Sequence, residues 1–111
     1  MKRVAILNCG DTAKRCAGTG CFRALREYTG GFAPYADEGA ELTAYCVCSS
    51  CGKPPEDDPD MHKKLMRIAE VGTEVVHIGK CAQKGGVRCP TMEAYARCLE
   101  EQGVGIVWKT H

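Results

Sequence analysis

Tyr45-Cys46-Val47-Cys48-Ser49-Ser50-Cys51-Gly52-Lys53-Pro54-Pro55 reads as the end of a β-strand that enters a thiol-bearing turn and then a rigid loop. Cys48 and Cys51 form a C-x-x-C pair, a spacing that lets two sulfurs converge on one metal ion or on each other. The strand feeding this turn is predicted from Ala40 to Val47. Beyond the turn, Asp58-Pro59 supplies an N-cap and a proline at the first helical position. The helix it starts carries Met61, Leu65, Ile68 and Ala69 on one face and ends at Gly72.

The same unit recurs on either side. Upstream, Arg3-Val4-Ala5-Ile6-Leu7-Asn8 is a short apolar run of the kind found in a strand covered on both faces. A loop with three cysteines and three glycines, Cys9 to Cys21, leads to a helix with Thr19 as its expected N-cap and Phe22, Leu25 and Tyr28 on its apolar side. Gly30-Gly31 is expected to stop it. Downstream, a third strand is predicted over 74–79, followed by a glycine- and lysine-rich loop from Lys80 to Cys89-Pro90. A third helix from near Thr91 buries Met92, Tyr95 and Leu99, and a fourth strand over 104–108 precedes Thr110-His111.

The order βαβαβαβ, joined by short right-handed crossovers, predicts a single α/β domain over residues 1–111. The expected architecture is a small three-layer, flavodoxin-like or Rossmann-like fold. Its four-stranded parallel sheet has strand order 2-1-3-4, with helices on both faces. The carboxyl ends of such strands share one edge, where ligands bind. Cys9, Cys16 and Cys21 follow the first strand, Cys48 and Cys51 the second, Cys81 and Cys89 the third, and His111 the fourth.

Totals narrow the function classes. The chain has 111 residues, and 15 basic against 14 acidic groups leave a net charge of +1. No polybasic run points to nucleic acid or to an anionic membrane. No apolar run approaches the roughly 20 residues needed to span a bilayer. The apolar part of the N-terminus is short and fits a buried strand better than a secretion signal. A chain of 12.0 kDa buries enough surface for a core without disulfide staples. Nine cysteines, an odd number in a regular α/β pattern, suit a reducing, cytoplasmic compartment with metal-binding or redox thiols.

Several stretches resemble the CGGC-domain family of small cysteine-rich proteins. They are Arg15-Cys16-Ala17-Gly18-Thr19-Gly20-Cys21-Phe22-Arg23-Ala24-Leu25, Glu41-Leu42-Thr43-Ala44-Tyr45, Val76-His77-Ile78, Cys89-Pro90 and Thr110-His111. Cys48-Ser49-Ser50-Cys51 stands in place of the name-giving C-G-G-C, and Lys109 where the terminal motif usually has glycine. The resemblance implies a zinc-binding role with no established reaction.

Three chemistries compete. The first is a thiolate-rich metal site at the sheet edge, with candidate ligands Cys16, Cys21, Cys48, Cys51, Cys81, Cys89 and His111. Seven donors exceed the four of one tetrahedral zinc, so two zinc sites, one site with spectators, or an iron–sulfur cluster remain open. Lys14, Arg15, Lys80, Lys84, Arg88 and Lys109 flank the same edge and would offset thiolate charge. In an enzyme the metal keeps an open position for water or a thiol substrate; in a binding module it is closed and ties the loops together.

The second is dithiol redox chemistry at Cys48–Cys51. Gly52-Lys53-Pro54-Pro55 weighs against it, because no helix N-terminus can follow at once to lower a thiol pKa. The third is oxyanion or phosphoryl chemistry at Cys9, since Cys9 to Arg15 satisfies C-x5-R directly after a strand. Against it, Cys16 occupies the position where low-molecular-weight tyrosine phosphatases have serine or threonine. Cys46, Cys98 and His77 are expected as core residues, and His62 as a solvated one. No protein partner is legible.

Overall fold

The computed structural model describes residues 1–48 and 53–111. Four parallel strands form the main sheet: β1 (Lys2–Asn8), β2 (Ala40–Val47), β3 (Val75–Ile78) and β6 (Gly105–Val107), in the order β2-β1-β3-β6. Their succession in the chain gives the expected order 2-1-3-4. The short antiparallel pair β4 (Gln83–Lys84) and β5 (Val87–Arg88) intervenes in numbering and was expected only as loop. Gly85 and Gly86, at φ 59° and 80°, make its two-residue turn, a conformation that glycine adopts without steric cost.

The helices are α1 (Gly10–Ala13), α2 (Thr19–Glu27), α3 (Pro59–Glu70) and α4 (Pro90–Glu101). They lie on both faces because β1 and β3 alternate their side chains between two cores. Ala5, Leu7, Val76 and Ile78 meet Met61 and Leu65 of α3 and Met92, Tyr95 and Leu99 of α4. Val4 and Ile6 meet Cys21 and Ala24 of α2, and Phe32 and Tyr35 of a 3-10 turn at Gly30–Tyr35. This is the period-2 logic of a central strand buried on both sides.

Two helix starts distinguish what the local sequence controls. The Asp58 side chain accepts a hydrogen bond from Met61 N at 3.1 Å, so α3 is capped as its sequence predicts. For α2 the expected cap is corrected: Gly18 holds the N-cap position at φ 77°, and Thr19 is already helical. That helix ends before Gly30-Gly31, with Tyr28 in the left-handed region at φ 54°. Tyr28 is anchored there by its hydroxyl, which accepts a hydrogen bond from Ala40 N at 3.2 Å.

Candidate functional site

At the carboxyl edge, just beyond the last paired residues of β1 and β3, lies a cavity of about 350 Å³. Asn8, Cys9, Thr12, Cys16, Cys21, Tyr45, Lys80, Cys81 and His111 are among the residues that line it. A second cavity, also about 350 Å³, opens on the α3/α4 side and includes Cys9, Cys48, Cys81 and Cys89 in its wall. Cys9 and Cys81 line both. They stand at the ends of the two central strands, at the point where the chain crosses from one side of the sheet to the other.

The first cavity is organised around Cys21. This thiol is buried in the first turn of α2, and its sulfur lies 3.0 Å from Thr110 Oγ1 and 3.9 Å from His111 Nδ1. Asn8 Nδ2 points to the same sulfur at 3.6 Å and to the Tyr45 hydroxyl at 3.5 Å. The C-terminal tail reaches Cys21 because it is tied down behind it. His77 Nδ1 bonds the Lys109 carbonyl at 3.1 Å, and Gly31 N donates to the Thr110 carbonyl at 3.2 Å. A Cβ on Gly31 would collide with the Lys109 carbonyl, and one on Gly20 would stand 2.9 Å from His111 Nε2. The tail therefore lies where only glycines leave room.

Cys9 is the junction between the two cavities. Its backbone N–H donates to Cys81 Sγ at 3.3 Å. Partial burial acts to raise its thiol pKa. The backbone and hydroxyl of Thr12 and the backbone of Asp11 outweigh that effect, holding the thiol below its ordinary range although the Asp11 carboxylate opposes them. Cys81 is shifted the other way: burial raises it, with the neighbouring Cys9 and Cys21 adding to the shift and the Cys9 N–H opposing it. The C-x5-R arrangement does not aim its arginine at Cys9. Arg15 turns to Asp11, 3.9 Å from the carboxylate and 3.5 Å from the backbone carbonyl.

The remaining sequence candidates divide by face. Cys16 is exposed on the wall of the first cavity, with its sulfur accepting from Gly18 N at 3.4 Å. Cys48 is buried on the opposite side of the sheet, where its thiol donates to the Tyr95 hydroxyl at 3.7 Å, and Cys89 packs against that same core. Cys51, and with it the Cys48–Cys51 turn, lies outside the described residues. Among the described residues no three His, Cys, Asp or Glu side chains converge closely enough to hold a metal ion as they stand.

Cys46 packs against the core, where burial pushes its thiol up to about 11. His77 is fully enclosed as expected, and His62 is exposed. Cys98, expected as a buried hydrophobe, is only half-buried. Cys9 stands outside the seven-ligand set read from the sequence. Its strand-end position beside the switch point marks it in the same way as the other thiols. Asn8, Tyr45 and Thr110 were also missed, because nothing in their local sequence announces a cavity.

The CGGC-domain family model matches residues 3–111. The chain belongs to the CGGC-domain family. An uncharacterized protein of Methanocaldococcus jannaschii is 33% identical over 117 residues, covering 98% of this chain and 86% of the relative. No solved structure matches this CGGC-domain chain. Among the described residues no helix is long and apolar enough to cross a membrane.

Proposed function

We propose that this CGGC-domain protein binds a soft metal ion, zinc before an iron–sulfur cluster, in the cavity at the carboxyl edge of its sheet. The observation that carries the reading is the shared wall: Cys9, Cys16, Cys21, Cys81 and His111, drawn from three separate chain segments, line one space of about 350 Å³. Thiolate and imidazole donors suit zinc, copper(I) and iron–sulfur clusters, whereas among the described residues no Asp or Glu side chain lines that wall for an oxygen-preferring ion. The donors fit the ion in kind, and loading requires the loops around Cys16 and Cys81 to draw inward.

Cys21 contributes the buried, oriented sulfur, and Thr110 and Asn8 fix its direction through the contacts at 3.0 and 3.6 Å. His111 is presented beside it by the tethered tail. Lys80 in the same wall supplies positive charge against the surplus of thiolates. When bound, zinc would supply either a cross-link between the loops or a Lewis acid at an open position.

Elemental analysis of protein purified anaerobically in reductant tests the reading. About one zinc per chain in a colourless sample supports it, with Cys21→Ser lowering zinc affinity at least tenfold. Brown protein carrying iron and acid-labile sulfide favours the cluster. Protein that binds neither ion under reducing conditions ends the metal reading.

A further inference from the structure

Cys9 and Cys81 are close together in space although 72 residues apart in the chain. The parallel pairing of β1 with β3 runs to Leu7↔Ile78 and is continued by Gly79 N donating to the Leu7 carbonyl at 2.9 Å. Just past that point the Cys9 N–H donates to Cys81 Sγ at 3.3 Å. One N–Cα bond of about 1.46 Å separates that nitrogen from Cys9 Cα, so the Cys81 sulfur lies within about 5 Å of Cys9 Cα. Rotation of χ1 at Cys9 sweeps its sulfur through the space between them, and the strand ends need not separate. Both residues also line both edge cavities, which gives a small molecule access from either side of the sheet.

We propose that Cys9 and Cys81 form a dithiol pair that reduces a low-molecular-weight disulfide by thiol–disulfide exchange in the cavity beside them. The Cys9 thiolate attacks one sulfur of the bound disulfide. The Cys9–sulfur bond forms as the disulfide bond breaks, and the leaving thiolate takes up a proton as the first thiol product. The Cys81 thiolate then attacks the Cys9 sulfur, expelling the second thiol and closing a Cys9–Cys81 disulfide. Two electrons and two protons pass from the cysteine pair to the substrate, giving two thiols.

Cys9 is assigned the first attack because it lines both cavities, whereas the Cys81 sulfur is engaged by the Cys9 N–H at 3.3 Å and stands ready to resolve. Cys21, a thiol in the wall of the same cavity, is held in contact with Thr110 and Asn8. At about 350 Å³ the cavity falls within the ordinary range for small-molecule sites. Lys80 on its wall favours a disulfide that carries carboxylates.

Reduced, metal-free protein treated anaerobically with one equivalent of cystine, quenched in acid and mapped by mass spectrometry after alkylation, tests the assignment. The expected main product is a Cys9–Cys81 disulfide with two cysteines released per cystine consumed. In Cys81→Ser, cysteine remains bound to Cys9, and release of the second cysteine slows at least tenfold. A main disulfide between any other pair in the wild-type protein overturns the proposal, and this readout needs no variant to fold. So does a Cys81→Ser protein of native circular dichroism whose Cys9 stays unmodified. Because exchange is read on metal-free protein and zinc content on the reduced, metallated form, failure of one reading is distinguishable from failure of the other.

Discussion

His77 sits inside β3 with no exposed surface, yet it is polar, and its two ring nitrogens explain how that is tolerated. One lies 2.8 Å from the Tyr35 hydroxyl and the other 3.1 Å from the Lys109 carbonyl, while Phe32 stacks on the ring at 4.2 Å between centroids. Burial lowers its pKa, partly opposed by the Lys109 carbonyl, so the fold holds the imidazole neutral. The unfolded chain, titrating near 6.5, binds the proton more readily. The contribution is therefore fully present above about pH 6.5 and is lost progressively as pH falls from there through the lowered folded value. His77→Phe keeps the ring but leaves Tyr35 and Lys109 without partners, at about 1–3 kcal/mol for each buried polar group. Urea unfolding at pH 7.5 is expected to show that loss, and at pH 5.5 the gap between the two proteins narrows. A gap that does not change with pH would mean that His77 is not held neutral.

At the scale of the element, α3 is the clearest case of a helix written in its own sequence. Asp58 caps it, Pro59 opens it, and Met61, Leu65 and Ile68 are all buried against the sheet. Asp58→Ala removes the acceptor for Met61 N and is expected to cost about 1 kcal/mol, read as a lower denaturation midpoint with an unchanged slope. Helix α2 carries no such signal. Its N-cap is a glycine with a positive φ, and no side chain caps it. Gly18 stands there because its φ of 77° is one that L side chains rarely adopt, and a Cβ would also meet the Phe22 ring at 3.2 Å. The start of α2 therefore answers to backbone conformation and packing and not to side-chain cap chemistry.

Over the whole molecule, the thiols do not form one rim with a common facing. Cys21 and Cys16 look to the α2 side and Cys48 and Cys89 to the α3/α4 side, with Cys9 and Cys81 between. A metal bound in the first cavity would join the loop after β1, the loop after β3 and the C-terminal tail, elements that the unfolded chain leaves far apart. Such a cross-link stabilises by mass action, by about 4 kcal/mol at a thousandfold excess of free metal over Kd. Calorimetry in reductant should then show the melting temperature fall by ten degrees or more, on the order expected for that loss, after chelation, with recovery on adding zinc. A melting temperature indifferent to zinc would show that no folding-coupled site exists.

The sequence by itself determined the βαβ order, the bounds of β2, the cap of α3 and the arrival of the cysteines at strand ends. Each of these follows from local periodicity, turn residues and the parallel crossover. Alternation along the strands also held the facing of Cys48, since Ala44 and Cys46 precede it on the α3/α4 side and Tyr45 packs on Phe22 opposite. Only the tertiary structure decided that Cys9 lies beside Cys81, and that Thr110 and His111 close over Cys21. Spacing along a chain fixes which residues share an element, whereas the distance between sulfurs 60 or more residues apart depends on how separate elements pack.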